Sequence, residues 1–301
     1  MKNALILLSM LTLASGAARA DVLRVVTTTE DLAWITRAIG GGKVTTQSLA
    51  RGYQDPHFVE PKPSFLLDLR KADLLVVVGL ELESSWLPPL IDQSRNAKIR
   101  PGTAGYLDVS AGVEILDRPA ADVNRSMGDI HAAGNPHYWL EPGNVIRIAA
   151  QVSQRLTDLR PEHREEFATS LTAFKIDMNE ANKRWTAQLA PYRGAKVVTY
   201  HRSWSNFVKR YGLDVVGFVE PKPGVPPSPS HIFSLTKLMK EQNAKAILVE
   251  PYFDLKTPQS IADRTGATVI VFYPSTLGRP ELTDYYKLFD RNVAALVKAL
   301  R

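Results

Sequence analysis

The sequence predicts an α/β protein of two lobes, each with a mainly parallel sheet flanked by helices, joined by one long rigid helix. Three observations predict it. Short runs rich in β-branched residues alternate with segments of helical spacing in both halves, and such alternation puts crossover helices over the faces of a parallel sheet. Between the halves runs a helical pattern with no Gly/Ser-rich linker, so the join is stiff. The 301 residues, 45% hydrophobic and 23% charged, carry enough apolar material for two cores at about 100–200 residues per domain.

The elements follow in order. Residues 23–29 read as a β-branched strand, and 31–39 have helical spacing, stopped by Gly40-Gly41-Gly42. A second strand is expected over 44–49, a short helix over 63–71, an apolar strand over 73–78, a helix over 86–93 and a further strand starting near 99. The central helices come next, over 143–159 and then from Pro161, a residue suited to a first helical turn, to about residue 190. At 1.5 Å per residue the second spans about 40 Å, enough to cross a whole domain. The other half repeats the pattern: strands over 196–200, 213–218, 246–250 and 268–272, helices over 204–211, 230–242 and 258–265, and a closing helix over 281–300. The pentapeptide Val59-Glu-Pro-Lys-Pro63 recurs as Val219-Glu-Pro-Lys-Pro223, which hints at similar loops in two similar lobes.

The N-terminus is a processing segment. Lys2 is followed by a mostly apolar stretch over 4–13, and Ala18-Arg19-Ala20 fits the small-x-small cleavage rule. Residues 1–20 are therefore expected to be a secretory signal peptide, with 21–160 and 191–301 as the lobes and 161–190 as the linking helix. Export of a chain with no cysteine suits a bacterial periplasm. The absence of cysteine also excludes disulfides, thiolate metal sites, iron–sulfur clusters and a lipid-modified N-terminal Cys. Net charge is +6, but the basic residues are dispersed and not interleaved with aromatics, so no nucleic-acid partner is expected.

Chemistry rests on the six histidines. His57 lies in Asp55-Pro-His57, beyond the second strand. His137 lies in Asn135-Pro-His137, and His201 directly follows the strand over 196–200. Ligands of parallel α/β sheets bind beyond the carboxyl ends of the strands, so His57 and His201, from different halves, are able to face each other across a cleft. Proline restricts the backbone beside two of the three, and neutral imidazole is a good ligand for zinc and its neighbours. Position alone leaves each of them open to a purely structural role. His163 is expected on a solvated helix face, His231 at a helix start for local reasons, and His131 in a mobile loop.

These segments resemble the metal-specific solute-binding proteins of bacterial ABC transporters, the zinc and manganese class typified by ZnuA and TroA. The carriers are Asp55-Pro-His57 with Pro63-Ser64, Asn135-Pro-His-Tyr-Trp-Leu-Glu-Pro142, Tyr200-His201 and Ala246-Ile-Leu-Val-Glu-Pro251. The resemblance spans about residues 22–301. It implies a metal buried between two metal-binding lobes, with His57 and His137 from the first and His201 from the second. It implies Zn²⁺ as cargo, Mn²⁺ or iron as alternatives, and delivery to a membrane permease by a monomer. Two departures stand out. The family's fourth ligand is an Asp in the loop after the last strand, but 272–278 here hold no carboxylate. Glu250 is the first candidate to replace it, Glu220 the second, and water a third. Zinc-type members carry a long His-rich loop, whereas residues 117–134 hold only His131.

Two other functions use the same residues. Three His with an open position is also a catalytic zinc pattern, with Glu250 as the general base of a hydrolase, although HExxH and Gly-x-Ser-x-Gly are both missing. A carrier of an organic chelate would stack its cargo on Tyr138, Trp139, Trp204, Tyr252 or Tyr273.

Overall fold

The computed structural model describes residues 22–119 and 131–301. The expected signal peptide, residues 1–20, lies outside the described residues. Two four-stranded parallel sheets make up the frame. The first uses β1 (Leu23–Thr27), β2 (Val44–Ser48), β3 (Leu74–Val77) and β4 (Tyr106–Asp108) in the order β2-β1-β3-β4. The second uses β5 (Lys196–Thr199), β6 (Asp214–Phe218), β7 (Ala246–Val249) and β8 (Thr268–Val271) in the order β6-β5-β7-β8. The two orders are the same pattern. The repeated pentapeptides accordingly follow equivalent edge strands, β2 and β6, and Val59 and Val219 are both buried.

Period-two alternation explains why both faces of each sheet are covered. On β1 and β3, Val25, Leu74 and Val76 face one core, while Val26, Leu75 and Val77 face another. On β5 and β7, Val197, Ala246 and Leu248 face the first core, and Val198, Ile247 and Val249 face a third. The outer cores lie under α2 (Pro63–Lys71) and α3 (Leu87–Ser94) in the first lobe, and under α7 (Pro229–Gln242) and α8 (Lys256–Thr265) in the second. The shared core is continuous through both lobes and is built on α1 (Glu30–Gly40), α4 (Pro142–Leu159), α5 (Arg164–Leu189), α6 (Ser205–Tyr211) and α9 (Tyr285–Leu300).

Helix α5 is the link. Its 26 residues bury Phe167, Phe174, Met178, Ala181, Trp185 and Leu189, a stripe at helical spacing. Phe174 meets Trp34 of α1 with ring centroids 5.4 Å apart, and Trp185 meets Phe289 of α9 at 4.8 Å. Trp34 also stacks on Tyr285 of α9 at 5.9 Å. The lobes are therefore joined through an aromatic seam as well as through the chain. Each such buried side chain contributes roughly 1.5–3 kcal/mol, which opposes wide opening.

Two expected boundaries move. No strand begins near residue 99: Ala97–Ile99 is a 3-10 turn whose Lys98 N–H donates to the Asn96 side chain at 3.0 Å, and Ile99 plugs the outer core alone. Pro101 and Gly102, the latter at φ 88°, break the chain before β4. The closing helix starts at Tyr285 because the Asp284 carboxylate accepts the Lys287 N–H at 2.8 Å. That is N-capping by a residue type favoured there.

Candidate metal site

The loop after β2 presents His57, and its Asx-Pro-His sequence sets the geometry. Asp55 Oδ1 accepts the backbone N–H of His57 at 3.0 Å, closing an Asx turn. The same oxygen lies 2.7 Å from His57 Nδ1. Trp86 Nε1 donates to the Pro56 carbonyl at 3.0 Å, and Ser85 Oγ donates to the His57 carbonyl at 2.8 Å, so the loop is held from behind.

Asn135-Pro-His137 repeats the device. Asn135 Oδ1 accepts from His137 N and His137 Nδ1, both at 2.9 Å. The Asn135 amide is spent as a donor to the Arg202 carbonyl at 2.7 Å and to Asp117 at 2.9 Å. Oδ1 must therefore be the acceptor, and His137 carries its proton on Nδ1.

His201 follows β5, and its Nδ1 lies 2.8 Å from Glu220 Oε2, a residue of the loop after β6. In all three histidines Nδ1 is anchored by an acceptor, which leaves Nε2 to point inward. The Nε2 atoms of His57 and His137 are buried with no hydrogen-bond partner.

The rings converge. Their centroids lie 5.0 Å apart for His57 and His137, 5.4 Å for His57 and His201, and 5.5 Å for His137 and His201. One nitrogen from each lies within 4.8 Å of the others, the single group of this kind among the described residues. An equilateral triangle with 4.8 Å sides has each corner about 2.8 Å from its centre. Each nitrogen thus needs to move by at most about 0.7 Å to reach a Zn–N distance of 2.0–2.1 Å. Such a triad, each ring oriented by a partner on its far nitrogen, has the construction of a metal site.

The electrostatics suit a cation. Burial, then the neighbouring imidazoles, holds His137 well below the usual histidine range, so its ring is neutral. Burial works against ionising Asp55, but its hydrogen bonds to His57 win and hold it below the usual range. Burial also opposes a charged His201, yet the Glu220 hydrogen bond and the Glu250 charge raise its pKa. Glu250 is fully buried, neither oxygen has a well-placed donor, and desolvation pushes it up to about 7.

The other expected candidates separate cleanly. Glu250 lies outside the 4.8 Å group, and Glu220 is occupied in orienting His201. His163 pairs with Glu166 at 2.8 Å just before α5 begins, and His231 Nε2 lies 2.9 Å from the Phe218 carbonyl. His131 departs from expectation. Its ring centroid is 5.2 Å from that of His57, its Nε2 is buried without a partner, and burial followed by the nearby imidazoles pushes its pKa down to about 3. It packs beside His57 at the edge of the triad, outside the 4.8 Å group. Tyr138, Trp139, Trp204 and Tyr273 are buried in packing. Trp139 Nε1 donates to the Pro274 carbonyl at 2.8 Å, and Tyr252, half-buried, packs edge-on against Phe253 with ring centroids 4.9 Å apart.

The orienting groups are what the sequence reading missed. Asp55 and Asn135 had a signal, the Asx-Pro-His tripeptide written twice. Glu220 was expected as a candidate ligand, and nothing local marked it instead as the partner of His201, since its twin in the repeated pentapeptide, Glu60, is exposed.

The chain matches the family model described as zinc-uptake complex component A, periplasmic, over residues 25–299. It is 25% identical over 275 residues to the high-affinity zinc uptake system protein ZnuA of Yersinia pestis, covering 88% of this chain and 84% of that protein. To the manganese ABC transporter substrate-binding lipoprotein PsaA of Streptococcus pneumoniae it is 24% identical, covering 95% and 91%. To the iron ABC transporter substrate-binding lipoprotein MtsA of Streptococcus pyogenes serotype M1 it is also 24% identical, covering 94% and 90%. A crystal structure of ZnuA superposes with a TM-score of 0.78 at 25% identity, covering 93% of this chain and all of that one. The two-lobed α/β chain is thus matched along nearly its whole length, and it belongs to the ZnuA family of metal-binding solute-binding proteins of ABC transporters, which are not enzymes.

Proposed function

We propose that the protein captures a divalent transition metal, Zn²⁺ foremost, between its lobes in the periplasm and delivers it to a membrane permease. His57, His137 and His201 are the ligands. The observation that carries this reading is the convergence, within 4.8 Å, of three inward nitrogens from distant parts of the chain, each ring fixed through its other nitrogen. Glu250, buried within electrostatic reach of His201, is the carboxylate that offsets the ion's charge, a role that suits a low-dielectric pocket.

Neutral imidazoles favour zinc over manganese, because manganese accepts carboxylate and water oxygens more readily. Release requires a state of lower affinity. The aromatic seam between α1, α5 and α9 favours a small shift of loops or lobes over wide hinge closure.

The test is competition with a fluorescent chelator for Zn²⁺ and Mn²⁺. His57→Ala, His137→Ala and His201→Ala are each expected to weaken Zn²⁺ binding by at least about tenfold, and His163→Ala to leave it unchanged. Equal losses from His163→Ala and the three site variants would remove the assignment.

A further inference from the structure

A cavity of about 360 Å³ opens beside the edge strand β6, a volume at the low end of the range for small-molecule sites. Much of its wall is apolar, with Leu116, Val208, Val215 and Phe218. No histidine lines it, and only Asp117 and Arg202 are shared with the smaller cavity beside His137 and His201. Leu116 and Asp117 precede the central helices in the chain, whereas the rest of the wall follows α5. An occupant would therefore touch both lobes.

Two donors in this wall lack an acceptor. The exposed Arg202 guanidinium lies over the Phe218 ring, 4.3 Å from its centroid, and forms no hydrogen bond or ion pair among the described residues. Trp204 is 1% exposed, and its Nε1 is buried with no partner. Buried donors are normally paired, and a guanidinium with no counter-charge is a ready receptor for a planar carboxylate. The other charges of the wall are spent. Lys209 pairs with Glu114 at 2.5 Å, both of them exposed. Asp117 Oδ2 accepts from Ser205 Oγ at 2.5 Å and from Asn135 Nδ2 at 2.9 Å. Its negative charge would repel a second carboxylate on the same ligand.

We propose that this cavity binds a small organic monocarboxylate with an apolar body. The Arg202 guanidinium and the Trp204 indole N–H receive the carboxylate, and the side chains of Leu116, Val208, Val215 and Phe218 cover the body. Such a division between a few placed polar groups and an apolar lining is the usual construction of a small-molecule site.

The experiment titrates the ¹⁵N-labelled, metal-free mature chain with 3-phenylpropanoate, with its neutral amide 3-phenylpropanamide, and with inorganic phosphate, following the assigned Trp204 indole N–H signal by NMR. The carboxylate should move that signal saturably, with a dissociation constant below about 5 mM for a ligand of this size, and should raise the melting temperature. The amide and phosphate should do neither. Arg202→Gln should weaken carboxylate binding by at least about tenfold, and Arg202→Lys by less, since it keeps the charge and loses the fork. Val215→Phe should block binding by filling the apolar part of the cavity while keeping both donors. No saturable response to the carboxylate, equal binding of the amide, a response to phosphate alone, or unchanged affinity in Arg202→Gln overturns the site. The metal-capture reading stands or falls separately, because the titration is made without metal and alters none of the three histidines.

Discussion

Replacing Asn135 by alanine probes how the site is held without touching a ligand. Asn135 Oδ1 accepts two hydrogen bonds from His137, at its backbone N and its ring Nδ1, and Nδ2 donates to the Arg202 carbonyl in the other lobe and to Asp117. Four bonds at about 0.5–1.5 kcal/mol net each make the expected loss of metal-free stability about 2–4 kcal/mol, allowing for partial replacement by water. Removing the partner of a ligand's far nitrogen lowers metal affinity by about 10–100-fold, or about 1.4–2.7 kcal/mol. Asn135→Asp separates the two effects. It keeps an acceptor for His137 but sets a carboxylate against the Arg202 carbonyl and the Asp117 carboxylate. Its affinity should stay nearer the wild type, while its metal-free stability should fall at least as far as that of the alanine variant. Chelator competition gives the affinities and urea unfolding the stabilities. Zinc binding by Asn135→Ala within about twofold of the wild type, well short of that range, would show that the amide does not present the ring.

Three further outcomes follow from the same geometry. Because the His201 pKa lies above its ordinary value, zinc binding near pH 6.5 should expel a proton from this ring, and affinity should fall as pH falls. Calorimetry in buffers of different ionisation heat checks this, and binding without proton release would exclude His201 as a ligand. Gly52→Ala would put a Cβ 1.9 Å from the Thr276 carbonyl and 2.6 Å from Gly278 N, both backbone atoms of the other lobe. It should lower the melting temperature by several degrees, as overpacking worth about 1–3 kcal/mol does, and an unchanged melt would mean that this contact between lobes yields freely. Asp31, buried and bonded to Ser275 and Thr276, has its pKa raised from 3.8 to about 7 by desolvation. A folded pKa above the unfolded one stabilises fully below about pH 4 and loses that contribution as pH rises through about 7. Metal-free Asp31→Asn should therefore melt above the wild type at pH 8, with the gap closing towards pH 4. A gap independent of pH would contradict a buried carboxyl at this position.

Local pattern was enough to read the strands and helices. The β-branched runs of β1, β5 and β7, the apolar spacing of α4, and the glycines after α6 and α8 all act within a few residues, and the structure keeps them within short boundary shifts. The region around Ile99 failed because one buried isoleucine between Lys98 and Arg100 looks like the start of a strand until Asn96 caps a turn beneath it. His57, His137 and His201 were also recognisable, two of them through the Asx-Pro-His tripeptide, whose turn needs no distant residue.

Short-range geometry thus accounts for the alternation of elements, the stiff link and the turns that present two of the rings, all of them readable along the chain. Which carboxylates and imidazoles meet is a matter of long-range packing. Glu60 and Glu220 occupy the same pentapeptide, yet one faces solvent and the other anchors His201, and His131 joins His57 across a fold that brings two loops together. Burial and ring-to-ring distance depend on how two sheets pack through a shared helical layer, and no local run of residues encodes that packing.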